Sequence, residues 1–201
     1  MTDDSWTSGG AAALETYAPD VLTAYGLLVS VRPSGVHDEL LESPPVAAFA
    51  EQFRVDVAEI DESVRARFID ETGGDAAAVM NMIWIADVAP RIREALDALF
   101  GPSAEWPGRR RYPVADTGVA IDGFLDSVAR FDEIHHYSSS DRPDAANAAL
   151  ALGDAMVRSP GAVPASVVEA IHEHLTPAQA VDVVLDGARR SAGKIGGVLA
   201  A

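Results

Sequence analysis

The sequence predicts an all-α protein, and three observations carry that prediction. Apolar residues recur at helical spacing, and no stretch alternates apolar and polar residues for long, as a half-buried strand would. Ala and Leu far outnumber the aromatics, which make up 6 % of the chain and, with β-branched residues, favour strands. Pro, Asp, Thr and Gly stand where the periodic stretches start and stop.

The elements follow in order. Leu14, Tyr17, Val21, Leu22, Tyr25 and Leu28 form one stripe of a helix over Ala11 to Val29, which Pro19 splits or kinks. Arg32-Pro33-Ser34-Gly35 reads as a turn, with His37 in the loop beyond it. Pro45 sits in the first turn of a helix carrying Val46, Phe49, Ala50 and Phe53. Asp61 is a fitting N-cap for a helix to Thr72, with Val64, Phe68 and Ile69 inward and Gly73-Gly74 as terminator. Asp75 caps the next helix, which runs to Phe100 and stops at Gly101-Pro102. That helix is apolar almost all round from Val79 to Ile85, so it belongs at the centre of the fold or in an interface. Pro90 within it removes a backbone donor and predicts a kink near Ala86–Ala89.

Gly101 to Gly118 reads as a linker, rich in Pro and Gly and holding Arg109-Arg110-Arg111, the one dense basic cluster. Those arginines are expected to pair with the protein's own carboxylates; an anion site is the sharper alternative. Helices are predicted over Val119 to Ile134, Pro143 to Val157 and Pro164 to His174. A last helix, capped by Thr176 with Pro177 at its first position, reaches the C-terminus. On it Val181, Val184, Leu185, Ala188, Ile195 and Val198 face in, while Asp182, Asp186, Arg189 and Arg190 face out. Gly187, Gly193, Gly196 and Gly197 cost roughly 1 kcal/mol each against Ala, so close helix contact is expected there.

Composition bounds function. Of 201 residues, 15 are Lys or Arg and 31 Asp or Glu, a net charge of −16. Such a net charge gives no overall attraction to nucleic acid, whose binding rests on clustered cations releasing counterions, and it is repelled by anionic membrane surfaces. It has no cysteine, so disulfides, thiolate metal sites and thiol nucleophiles are excluded. Met1-Thr2-Asp3-Asp4-Ser5-Trp6 has neither the basic nor the apolar region of a secretory signal, and the apolar stretch Ala76 to Val88 is too short for a bilayer. A cytoplasmic protein without nucleic-acid or membrane partners, cofactor or bound metal is expected.

The two halves align without a gap at an offset of 103 residues, Phe49 to Gly101 falling on Leu152 to the C-terminal end. Val64 meets Val167, Phe68 meets Ile171, Met82 meets Leu185 and Arg91 meets Lys194. The organisation read from this is an N-terminal helical extension (1–44), a first helical repeat (45–101), a linker (102–118) and a second helical repeat (119–201).

Several stretches resemble one known family. They are Ala148-Ala149-Leu150-Ala151-Leu152-Gly153-Asp154-Ala155-Met156, Pro160-Gly161-Ala162-Val163-Pro164, His172-Glu173-His174-Leu175-Thr176-Pro177-Ala178-Gln179, and the closing helix with Lys194-Ile195. Together they resemble the C-terminal half of carboxymuconolactone decarboxylase and alkylhydroperoxidase-D-like proteins, as does the loop Tyr137-Ser138-Ser139-Ser140-Asp141. Phe49 to Gly101, with Asp87-Val88-Ala89-Pro90-Arg91, is similar to the same half-domain. The resemblance implies an all-α alkylhydroperoxidase-D-like fold of two similar halves, usually oligomeric. In the peroxidase branch it also implies a CxxC pair with a nearby Glu and His. Here the corresponding segment, Arg111 to Gly118, has no cysteine. A thiol peroxidase needs an attacking thiolate and a resolving thiol, so that activity is not expected. The decarboxylase branch survives, as does a non-catalytic oligomerisation or interaction protein.

Two clusters carry the candidate chemistry. Glu133, His135 and His136, beside Tyr137, offer a general acid or base for a lyase on a small organic acid; the competing reading is histidines complementing a helix C-terminus. Asp87 and Arg91 are an i,i+4 pair across Pro90, with Trp84 one turn earlier. They are read as a substrate-binding wall or as an ion pair fixing the kink. His172 and His174 are two apart on a helix and share no face.

Overall fold

The computed structural model describes residues 6–55, 60–108, 116–132, 142–158 and 162–193, and every long element among them is an α-helix. The helices are α1 (Gly10–Tyr17), α2 (Pro19–Leu28), α3 (Gly35–Glu42), α4 (Pro44–Val55), α5 (Glu62–Thr72), α6 (Ala76–Phe100), α7 (Thr117–Val128), α8 (Pro143–Arg158), α9 (Ala165–His174) and α10 (Pro177–Ser191). No strand occurs among the described residues.

Helix α6 is the axis of the fold. It is 25 residues long, runs through Pro90, and packs against α1, α2, α3, α5, α7, α8, α9 and α10. Its all-round apolar character explains this, because Val79, Met80, Met82, Ile83, Trp84 and Val88 all need cover. Aromatic contacts fix the neighbours. Phe49 stacks on Phe68 at 4.1 Å between α4 and α5, and Trp84 meets Phe124 of α7 edge-on at 6.1 Å.

Helix starts follow local chemistry. The Asp61 carboxylate accepts from Val64 N at 2.9 Å, and Asp116 accepts from Gly118 N and Val119 N. Thr176 and Gln179 form a reciprocal capping box, with Pro177 at the first position. Pro19 splits the first predicted helix into α1 and α2.

The first 44 residues share the common core, with Leu14, Val21 and Leu28 fully buried in it. Helix α1 begins against the end of α6. Gly9 N donates to Phe100 O at 2.8 Å, Gly10 N to Gly101 O at 3.2 Å, and Ala11 N to Ser103 Oγ at 2.8 Å. A Cβ at Gly10 would lie 2.8 Å from backbone atoms of Leu96 and Asp97, so glycine is what lets the two backbones meet.

The structure corrects several expectations. Gly35–Glu42 is helical, so His37 sits on α3, 3.3 Å from Asp75. Asp75 occupies the N-cap position of α6 but makes no side-chain capping bond. Ile69 is more than a third exposed, since α5 buries only one narrow face. Helix α7 ends at Val128, six residues early. The start of the linker is docked: Trp106 packs on Tyr25 at 5.5 Å and its indole N–H donates to the Asp97 carboxylate. Asp186 is fully buried rather than outward, because Arg189 and Arg190 both fold back on it. A Cβ on Gly187 would meet only the Met156 thioether at ordinary distance, and one on Gly193 nothing, so close approach falls at Gly10 instead. Ile195, Val198, Gly196, Gly197 and Lys194 lie outside the described residues, as do Arg109-Arg110-Arg111.

Candidate functional site

The chemistry concentrates around Pro90. Proline has no N–H to give the Ala86 carbonyl four residues earlier, so this carbonyl, on the exposed face of α6, lacks its usual helical donor. One residue along, Asp87 and Arg91 are 3 % and 5 % exposed, which for two charged residues demands pairing. Arg91 Nε and one terminal nitrogen donate to Asp87 Oδ1 at 2.9 and 2.7 Å. The same terminal nitrogen donates to Arg54 O at 2.7 Å, and the other to Met156 O and to Val157 O, the latter at 2.7 Å. The five N–H donors of a guanidinium are thus matched by five contacts. Two helices, α4 and α8, end on this one cation, where their C-terminal dipoles favour positive charge. Asp87 Oδ2 is the remaining atom: it is buried and accepts no hydrogen bond among the described residues.

Two hollows flank Ala86 and Pro90, which line both. On one side is an apolar groove of about 320 Å³, walled by Leu28, Val31, Leu41, Met82 and Ile85. On the other is a polar cleft of about 300 Å³, lined by Arg54, Asp87 and Glu94. Behind the groove, the Tyr25 hydroxyl donates to Ala89 O at 3.1 Å. Burial pushes its ionisation well above the usual phenol range, so it stays a neutral donor.

Among the residues named from sequence, the structure joins Asp87 to Arg91 and sets Trp84 apart. Trp84 is fully buried, donates from its indole N–H to Ser191 Oγ at 3.2 Å, and belongs to the core between α6, α7 and α10, not to the wall of the cleft. Its large apolar ring outweighs its single polar atom. Glu133, His135 and His136 lie outside the described residues. The ring of His172 packs on Trp6 at 4.1 Å and its Nε2 lies 2.9 Å from Leu99 O, while His174 lies beside Glu173. No group of three or more His, Asp or Glu that could hold a metal occurs among the described residues.

Sequence reasoning missed a second buried charge. Asp186 accepts from Arg189 at 2.7 Å and Arg190 at 3.0 Å, and both arginines reach Asp132 at 2.9 Å. The i,i+3 and i,i+4 spacing of Asp186, Arg189 and Arg190 was the available signal. This network ties α10 to the end of the α7 segment and leaves no open acceptor comparable to Asp87 Oδ2 among the buried atoms without partners.

The chain is 27 % identical to an uncharacterised protein of Mycobacterium tuberculosis, in strain H37Rv and again in strain CDC 1551, over 77 % of this chain and 72 % of the relative. No family profile and no solved structure matches the chain. Among the described residues no helix is long and apolar enough to cross a membrane.

Proposed function

We propose that the chain is a cysteine-free, internally duplicated protein of the carboxymuconolactone decarboxylase and alkylhydroperoxidase-D-like group, acting as a homo-oligomer in the cytoplasm without thiol-peroxidase chemistry, and that it takes a small molecule beside Pro90. The observation that carries the reading is where the Arg91 guanidinium points. Its terminal nitrogens reach the carbonyls of residues 54 and 157, which are 103 apart, the offset that aligns the two sequence halves. The ends of α4 and α8, at residues 55 and 158, and the starts of α5 and α9, at 62 and 165, keep that offset, while the starts of α4 and α8, at 44 and 143, and of α6 and α10, at 76 and 177, depart from it by four and two residues. One cation at the meeting point of two equivalent helix ends is what a duplicated half-domain would produce.

A lyase on a small organic acid is the second reading. It needs a free cation for the substrate carboxylate, and Arg91 has no donor left to offer; Arg54, exposed at the mouth of the cleft, is the arginine in reach.

Light scattering coupled to size exclusion tests the group assignment, with an oligomer expected; a monomer at all micromolar concentrations would refute it. Hydroperoxide reduction driven by a dithiol should be absent, and turnover by the purified chain would remove the rest of the reading.

A further inference from the structure

We infer that the site at Pro90 binds an amphiphilic organic cation, a primary or secondary ammonium group carried on a short apolar body. The inference rests on the small-molecule reading above and adds the ligand class. Asp87 is 97 % buried and lines the polar cleft, and its buried Oδ2 has no donor against it among the described residues. An orphaned buried carboxylate oxygen is costly, and a donor supplied by a ligand would relieve that cost. A cationic donor does so best, because charge-assisted hydrogen bonds are roughly twice as strong as neutral ones.

The neighbours fit the same ligand. Glu94, half-buried and without an ion-pair partner among the described residues, lines the cleft as a second carboxylate. The Ala86 carbonyl, which Pro90 cannot serve, lies on the ridge between cleft and groove and accepts a second ammonium proton. Beyond the ridge, the apolar groove of Leu28, Val31, Leu41, Met82 and Ile85 has room for a chain of several carbons. The cation already present deep in the site, Arg91, is balanced by Asp87 Oδ1 and the helix-end carbonyls, so it does not repel a second one as a free guanidinium would. Among the described residues Arg54 is the one opposing charge in the lining, and it is exposed. The net charge of −16 draws cations to the surface at large.

The test is a titration of the full chain, followed by amide chemical shifts, with hexylammonium, hexanol, hexanoate and methylammonium. Hexylammonium should bind at least about tenfold more tightly than hexanol or methylammonium, with shifts at the amides of Ala86, Asp87 and Glu94 and along the groove. Glu94→Gln should weaken the amine severalfold and leave hexanol unchanged. Leu41→Gln should weaken both hexyl compounds. Asp87→Asn should abolish the preference for the amine; if that variant does not fold, the Glu94 and Leu41 variants still decide. Equal binding of alcohol and amine, tighter binding of hexanoate, or no saturable shift at millimolar amine would overturn the inference, leaving water as the occupant of Asp87 Oδ2. A monomeric protein that still selects the amine would separate this result from failure of the group assignment.

Discussion

Replacing Arg91 by Met keeps an unbranched apolar stem and removes the guanidinium with its charge. The structure says what is then left behind. Asp87, 3 % exposed, loses its cation partner, and breaking one partner out of a buried ion pair costs about 3–5 kcal/mol. The carbonyls of Arg54, Met156 and Val157 lose their donor as well, and each that water does not reach adds about 1–3 kcal/mol. A domain of this kind has about 5–15 kcal/mol in total, so Arg91→Met should fold marginally. The double variant Asp87→Leu/Arg91→Met removes the stranded carboxylate and should recover the first of those losses but not the second. Urea unfolding followed by far-ultraviolet circular dichroism measures all three chains. The reasoning fails if Arg91→Met costs less than about 1 kcal/mol, the range of a surface pair, or if the double variant is no more stable than the single one.

Gly10→Ala should destabilise by about 1–3 kcal/mol, because the new methyl meets backbone at 2.8 Å, whereas Gly123→Ala, exposed in α7 with nothing within 4 Å, should stabilise by about 0.5–1 kcal/mol; thermal unfolding of the pair checks both signs. Thr176→Ala removes one side of the capping box and should cost about 1 kcal/mol in the same assay. The Arg130 guanidinium beside Asp20, at 2.5 Å, holds that carboxyl below its ordinary value near 3.8, so the pair contributes fully above that value and loses its contribution as pH falls through the lower folded one. Both groups are about half exposed, so Asp20→Asn should cost at most about 1 kcal/mol at neutral pH, and the difference from the parent should shrink in acid unfolding as pH falls below 3.8.

How much of this was legible depended on range. Asp61, Thr176 and Gln179 bond amides three residues away and Pro177 fits a first turn, so the starts of α5 and α10 were legible, while the last helix, expected to reach the C-terminus, is helical to Ser191 among the described residues. The central place of α6 was legible too, from apolar residues on every side. Asp186 was misread because a charged residue on an amphipathic helix faces water by default, and its burial depends on two arginines one turn on. Asp87 and Arg91 were recognisable as a pair, but three of Arg91's four acceptor atoms are carbonyls 37, 65 and 66 residues away, which no local pattern encodes. Trp84 was placed in a pocket wall because periodicity gives a face without saying what covers it; Phe124 and Ser191, far along the chain, do that. The hollows beside Pro90 follow from the packing of α2, α3 and α4 around α6, and they have no signature in sequence beyond the proline itself.

The junction between α1 and the end of α6 bears on how the molecule is made. The amides that open α1 are satisfied by Phe100 O, Gly101 O and Ser103 Oγ, some 91 or 92 positions later. A ribosome adding about 5–20 residues per second therefore holds the first helix without its partner for several seconds. Helix α1 has eight residues, too few to persist alone in water. Its Ala13 and Leu14 stay uncovered until the strongly apolar α6 has also emerged. During synthesis the beginning of this chain waits for its middle, and that interval is when the nascent protein is most open to chaperones and to aggregation.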